Sequence, residues 1–240
     1  MSFGAFSFGT WIASSPYPKT GVIMQNSGNA KYIVFEGTSG CGKTTIATAI
    51  YNDLPGEPDA DKILTREPGS PHSEFCVKLR ELILHGRNQD IDPMTYAYLF
   101  AADTYEHLNK IVLPALLEDK WVVSTRSVIS DFAYRPDTGG SVRIHNYHKF
   151  LALNPKLFWI DTEPEVCQSR VENRETPLNE LEKIREAYQE NLVEDRRVPA
   201  GDYRAWYRVP NNRDLQSAVE AVKGHLMKHF EGLESLPSFR

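Results

Sequence analysis

The segment Gly37-Thr38-Ser39-Gly40-Cys41-Gly42-Lys43-Thr44 constrains this chain more than any other feature. It fits the pattern GxxxxGK[ST] in full, with an apolar run before it and a helical run after it. Glycines at this spacing permit a tight loop whose backbone N–H groups turn inward onto phosphate oxygens. The N-terminus of the following helix adds partial positive charge. Lys43 neutralises the β- and γ-phosphates, and the Thr44 hydroxyl can ligate Mg²⁺. The predicted cradle for a nucleoside triphosphate is therefore Gly37, Thr38, Ser39, Gly40, Cys41, Gly42, Lys43, Thr44 and Thr45. Cys41 reads as a small loop side chain with no redox role.

The elements around the loop alternate. Tyr32, Ile33, Val34 and Phe35 form a short apolar run, as expected for a buried parallel strand. Further strands are expected from Lys62 to Thr65, from Trp121 to Val123, from Leu157 to Ile160 and near 204–209. Between them fall helices from about Lys43 to Asp53, at 73–86 and from Pro93 towards Asp119, the last kinked or split at Pro114. Others lie near 164–173 and 178–194, and a final helix runs through Val219, Val222, Leu226 and Phe230. This order predicts an α/β fold, a five-stranded parallel sheet with helices on both faces. Residues 1–29, rich in Gly, Ser, Phe and Pro without a period, read as an irregular extension. The domain proper would span 30–231, and 232–240 would be a frayed tail.

Composition excludes several classes. With 27 basic and 32 acidic side chains the net charge is −5, which argues against a dedicated nucleic-acid binder. The three cysteines are scattered without CxxC spacing, which argues against a disulfide frame or a zinc site and suits a reducing compartment. No apolar run approaches a membrane span, and the start lacks the features of a signal peptide. The expectation is a cytoplasmic protein with small-molecule partners.

The loop alone does not separate a kinase from a GTPase or a motor. No guanine-reading NKxD element is present, and the chain is short for an ATP-driven motor. The third strand ends Ser124-Thr125-Arg126, not in the Asp that would bind Mg²⁺, while the fourth ends at Asp161. The blocks KYIVFEGTSGCGKTT, TREPGS (65–70), KLRELIL (78–84), LFAADTYEHL (99–108), IVLPALLEDKWVV (111–123), TRSVISDFAY (125–134) and PKLFWIDTEPEV (155–166) occur in that order. Together they resemble the thymidylate kinase family over about residues 31–230.

The resemblance implies a P-loop kinase fold with a short lid at about 170–182, and transfer of the ATP γ-phosphoryl group to a deoxynucleoside monophosphate with Mg²⁺. It implies that Lys43, Arg126 and the lid cation Arg174, with Arg170 as a second candidate, act on the transferring phosphoryl group. Arg66 and Arg80 would hold the acceptor region, with Glu67 orienting Arg66 or the metal shell. Plain readings of these three are a surface ion pair for Arg66 and Glu67 and a solvated helix face for Arg80. Phe100 would stack on the base, although it also sits in an apolar helix stripe and could simply pack in the core. Tyr134 would crowd the sugar 2′ position, and Pro210 to Asp214 would wrap the adenine. A homodimer is also implied.

Departures from the family bear on the substrate. Thr104 stands where the family has an arginine that hydrogen-bonds thymine O4, and Asp131 where a small neutral polar residue faces the base. One donor is gone and one acceptor is gained, which points to a cytosine-like or modified pyrimidine. Ser39 and Thr125 replace acidic residues. Two alternatives stay open: a deoxynucleoside kinase with Glu67 as base, and a degenerate fold that binds nucleotide without turnover.

Overall fold

The structure is a computed structural model that describes residues 30–86, 91–135, 140–171, 176–193, 206–212 and 214–239. The expected extension at 1–29, Arg174 and part of the lid segment lie outside the described residues. Five parallel strands, β1 (Tyr32–Glu36), β2 (Lys62–Arg66), β3 (Trp121–Thr125), β4 (Lys156–Asp161) and β5 (Trp206–Pro210), are ordered β2-β3-β1-β4-β5. β1 is central, paired to β3 on one side (Tyr32 with Val122) and β4 on the other (Ile33 with Lys156).

Strand alternation divides the core into two layers. Ile33, Phe35, Val123, Phe158 and Ile160 face a cluster closed by α1 (Lys43–Asp53) and α9 (Leu215–Met227). Tyr32, Val34, Val122, Leu157 and Trp159 face the other cluster, with Leu108, Ile111 and Val112. Helix α1 buries Lys43, Ile46, Ala47 and Ile50, the i, i+3, i+4, i+7 spacing of one helical face.

The expected break near Pro114 is present. α3 (Pro93–His107) passes through a π-helical turn (Leu108–Val112) into α4 (Leu113–Leu117), with Pro114 in the first turn of α4. Proline lacks an N–H, so it is tolerated there and not in a helix interior. α2 (Glu74–Gly86) packs against α3.

Two helices that the periodicity does not announce, α5 (Val128–Tyr134) and α6 (Gly140–Ala152), lie between β3 and β4. The Ser127 side chain caps α5 by accepting from Ile129 N. α6 is held by polar contacts: Arg143 donates to the carbonyls of Asp131 and Arg135, and Asn146 donates to Ala101 O. α7 (Pro164–Ser169) and α8 (Leu178–Val193) follow β4, and α8 buries Leu181, Ile184 and Tyr188 as expected.

The end of the chain departs from the expected frayed tail. Residues 233–235 and 237–239 form 3₁₀ turns that bury Leu233 and Phe239 in the α1–α9 layer. Phe230 packs edge-on against Trp121, and Ser238 Oγ donates to Asp53 O at 2.8 Å. Two widely spaced apolar residues suffice here because the layer has a gap for them, which no periodicity reveals. Phe239→Ala should therefore lower the unfolding free energy by about 3 kcal/mol, read by urea denaturation. An unchanged midpoint would mean that the segment does not pack.

Candidate active site

Parallel strands deliver their carboxyl ends to one edge, and ligands gather where neighbouring connections leave in opposite directions. Here that point is the end of β1, flanked by β3 and β4. The edge carries Glu36 and the Gly-rich loop, Glu67, Arg126, Asp161 and Asn211.

The loop from Gly37 to Gly42 leads into α1, whose start has no side-chain cap, so its first N–H groups are open to an anion. Gly40 has φ +79°, and a Cβ there would lie 2.3 Å from Cys167 O. Gly42 has φ +93°, and its Cβ would meet Asn211 Nδ2 at 2.5 Å. No other residue fits either position. The loop is pinned from outside: Asn211 Nδ2 and Thr162 Oγ1 both donate to Cys41 O. Lys43 lies across the loop with Nζ donating to Thr38 O at 2.7 Å, while Thr44 and Thr45 are exposed. Arg170 Nη1 donates to Asn211 O, which places that cation beside Gly42.

On the other side of β1 lies a cavity of about 320 Å³. Ser39, Arg80 and Arg126 bring polar and cationic groups to it, Phe100 and Tyr134 bring rings, and Thr104 and Asp131 bring polar atoms. Arg126 adopts φ +72°, a left-handed conformation that costs a non-glycine residue roughly 1–2 kcal/mol. Its guanidinium donates to Tyr134 Oη at 2.8 Å and Ser130 Oγ at 3.2 Å, and lies 3.5 Å from Gly37 O. Arg126 thus bridges the cavity and the start of the loop.

Buried carboxyls surround this cation. Glu36 is fully buried, and burial raises its pKa, opposed by hydrogen bonds from Ser127 and Ser130 and by Arg126. Ser127 donates to one oxygen, and Ser130 and Tyr188 donate to the other. Burial pushes Glu67 up to about 8 and its neighbour His107 down to about 4. Both shifts favour a neutral pair with the proton on Glu67, donated to His107 Nδ1 at 2.6 Å. The ring Nε2 then donates to Thr65 Oγ1, and Thr104 Oγ1 donates to the other Glu67 oxygen at 2.9 Å. Burial also raises Asp103 and Asp131, each to about 7. Asp103 Oδ2, Asp131 Oδ2 and Asn211 Oδ1 are among the buried polar atoms that have no hydrogen-bond partner among the described residues, and all three lie at this edge. Water, an ion or a ligand can complete such atoms.

A family model described as thymidylate kinase matches residues 35–204. The chain belongs to the thymidylate kinase family. It is similar to a thymidylate kinase of Lactobacillus acidophilus, 32% identical over 169 residues, covering 68% of this chain and 77% of that protein. It is also similar to a thymidylate kinase of the Aster yellows witches'-broom phytoplasma, 37% identical over 145 residues, 58% of this chain and 68% of the other. A crystal structure of thymidylate kinase from Ehrlichia chaffeensis superposes with a TM-score of 0.61 at 20% identity, over 80% of this chain and 97% of that one, and supports the P-loop kinase fold. The chain is an ATP-dependent nucleoside monophosphate kinase.

Within this family frame, the structure brings Arg80, Phe100, Thr104, Arg126, Asp131 and Tyr134 to one cavity. Arg66 stays outside it and does not pair with Glu67; its Nε donates to Gly69 O and stiffens the turn. Glu67 lines the cavity but is committed to Thr104 and His107, so it neither orients Arg66, as the resemblance implies, nor forms the alternative surface ion pair. Phe100 is half-buried and lines the cavity, not sealed in the core. Asp161 is engaged by two cations. Burial would raise its pKa, but hydrogen bonds from Arg185 and Arg208 hold it below the usual range. Glu36, Asp103 and His107 were not singled out by sequence reasoning. The available signal was a charge closing the otherwise apolar run Tyr32–Glu36.

Glu67→Gln preserves the pattern, because an amide donates to His107 and accepts from Thr104. Turnover of a monophosphate should stay within about threefold of wild type, whereas Glu67→Ala should cost about 1–3 kcal/mol of stability. The sign with pH follows. A raised folded-state pKa means that the folded chain holds the extra proton, so this group's contribution is complete below its ordinary 4.5 and declines as pH rises to about 8. Thermal melts of Glu67→Gln should lose that decline.

Proposed function

We propose that this kinase phosphorylates a pyrimidine deoxynucleoside monophosphate, and that its base pocket favours a 4-aminopyrimidine over thymine. The observation that carries the base preference is that both polar side chains at the base end present acceptors. The Thr104 hydroxyl hydrogen is committed to Glu67, leaving its lone pairs for the cavity. Asp131 Oδ2 has no partner among the described residues. An exocyclic amino group donates to such atoms, whereas a 4-oxo group opposes them.

In this reading Phe100 stacks on the base and Tyr134 sets the distance to the sugar. Arg126 and Arg80 receive the acceptor phosphate, and Arg126, already oriented by Tyr134 and Ser130, spans to the transferring group. An acceptor phosphate is ionised near neutral pH, so no general base is required. Catalysis is alignment and charge stabilisation. Lys43 leaves Thr38 O for the phosphates, and Arg170, beside Gly42, approaches them from the lid side. The exposed Thr44 hydroxyl at the uncapped start of α1 suits Mg²⁺, a cation that keeps waters and phosphate oxygens and needs few protein ligands. When bound, Mg²⁺ neutralises charge between the phosphates. A nucleoside acceptor would instead need a free carboxylate base, and Glu67 is protonated and doubly engaged.

No helix among the described residues is long and apolar enough to cross a membrane, and Cys41, Cys76 and Cys167 are free and buried, which supports a cytosolic setting. Phe75 and Leu82 of α2 and Met94 and Tyr98 of α3 are exposed. This apolar face supports a homodimer through α2 and α3. Light scattering should give twice the chain mass, and Leu82→Glu with Tyr98→Glu should give monomers. A monomeric wild type would refute the pairing.

The substrate reading is tested by ADP release from Mg·ATP with dCMP, 5-substituted deoxycytidylates, dTMP, dUMP, purine monophosphates and free deoxynucleosides. A deoxycytidylate should exceed dTMP in kcat/KM by about tenfold, and Asp131→Asn should narrow the gap. If dTMP proved the best acceptor, the base assignment would be wrong.

A further inference from the structure

We infer that Arg135 decides which base this enzyme accepts: its guanidinium closes the base pocket over Phe100 and clamps Asp131 by one oxygen, so a base enters by replacing the contact with Phe100 and pairing with the other Asp131 oxygen. The inference rests on the acceptor-pocket reading above. Arg135 is the residue that ends α5, and its guanidinium carbon lies 3.5 Å from the centroid of the Phe100 ring. The same guanidinium pairs with Asp131 Oδ1 one helical turn back. The flat plate on which a base would stack is thus already covered by another flat group, held there by charge. Only 22% of the Arg135 side chain and 6% of the Asp131 side chain are exposed. The remaining Asp131 oxygen is sealed in the same place.

Helix α6 fixes this gate at its hinge. Arg143 Nη1 donates to the backbone oxygens of Asp131 and of Arg135, at 2.7 Å and 2.6 Å. The backbone of the last turn is therefore held. A base that lifts Arg135 off the ring must compensate for a lost stack. A 4-aminopyrimidine does so with its ring on Phe100 and adds a hydrogen bond from its amino group to Asp131 Oδ2, while Arg135 keeps Oδ1. A 4-oxopyrimidine supplies only the ring.

The charged groups around Asp131 define what Arg135 controls. Burial raises the Asp131 pKa, Arg135 opposes it, Glu67 raises it further once itself ionised, and Arg143 opposes it. Asp103, from α3, also lines the cavity. With Arg135 present, Asp131 titrates at about 7. Without Arg135, burial keeps the proton on Asp131 to higher pH. A protonated carboxyl donates a hydrogen bond, and a donor there favours a 4-oxo group. Arg135 is thus a positioning residue that keeps Asp131 an acceptor.

The experiment measures kcat and KM for dCMP and dTMP with wild type, Arg135→Gln and Arg135→Lys across about pH 6 to 9. Arg135→Gln should shift the dCMP:dTMP ratio of kcat/KM towards dTMP by about tenfold. The change should sit in KM, and the pH at which the ratio turns should move upward. Arg135→Lys, which keeps the charge, should hold the ratio near wild type. A ratio and pH dependence unmoved by Arg135→Gln overturns the inference whichever base wild type prefers. Preference of wild type for dTMP, with the shift still present, overturns the base assignment alone. Phe100→Ala and Asp131→Asn test the pocket itself: unchanged KM in both, or turnover of no monophosphate, overturns the pocket reading and this inference together.

Discussion

A carboxyl group buried at the end of the central strand must be hydrogen-bonded, and the candidate site is arranged around meeting that requirement. Glu36 closes β1 with no exposure, so Ser127 and Ser130 of the β3–α5 segment and Tyr188 of α8 are drawn onto it. Ser130 also meets Arg126, and Arg126 meets Tyr134. One buried acid thus sets the position of Arg126 and anchors α8. The phosphate loop leaves from the next residue of the same strand, so both halves of the site share one origin.

The two halves differ in how they obtain polarity. The donor half relies on backbone geometry, with glycines packed against Ile160 O and Cys167 O and an uncapped helix start. Such a surface binds phosphate through groups that every chain possesses, which is why spacing alone reveals it. The acceptor half relies on side chains whose protonation depends on burial. Glu67 and His107 form a neutral pair, and Asp103 and Asp131 sit near neutrality. The polarity of the loop is therefore insensitive to its surroundings, while that of the cavity is not.

This difference explains what was legible in the sequence. The parallel sheet, the loop and the cavity residues Arg80, Phe100, Thr104, Arg126, Asp131 and Tyr134 were all readable from apolar runs, glycine spacing and family blocks. The partners were not. Glu67 finds His107 across a separation of 40 residues, and Arg143 reaches back to Asp131 and Arg135 from another helix. Long-range polar contacts leave no period. Helices α5 and α6 escaped for the same reason, since α6 is held as much by Arg143 and Asn146 as by an apolar stripe. The packed C-terminal turns depend on Leu233 and Phe239, too far apart to announce an element.

The left-handed backbone at Arg126 has a consequence for how such a protein can change. Glycine or asparagine would relax that conformation, so at this position the most stable residue and the most useful one are different. Selection for stability alone would erode the guanidinium that joins the two halves of the site. The residue therefore works as an internal gauge: while it remains arginine, the fold is tolerating local strain in order to keep a cation between the cavity and the Gly-rich loop.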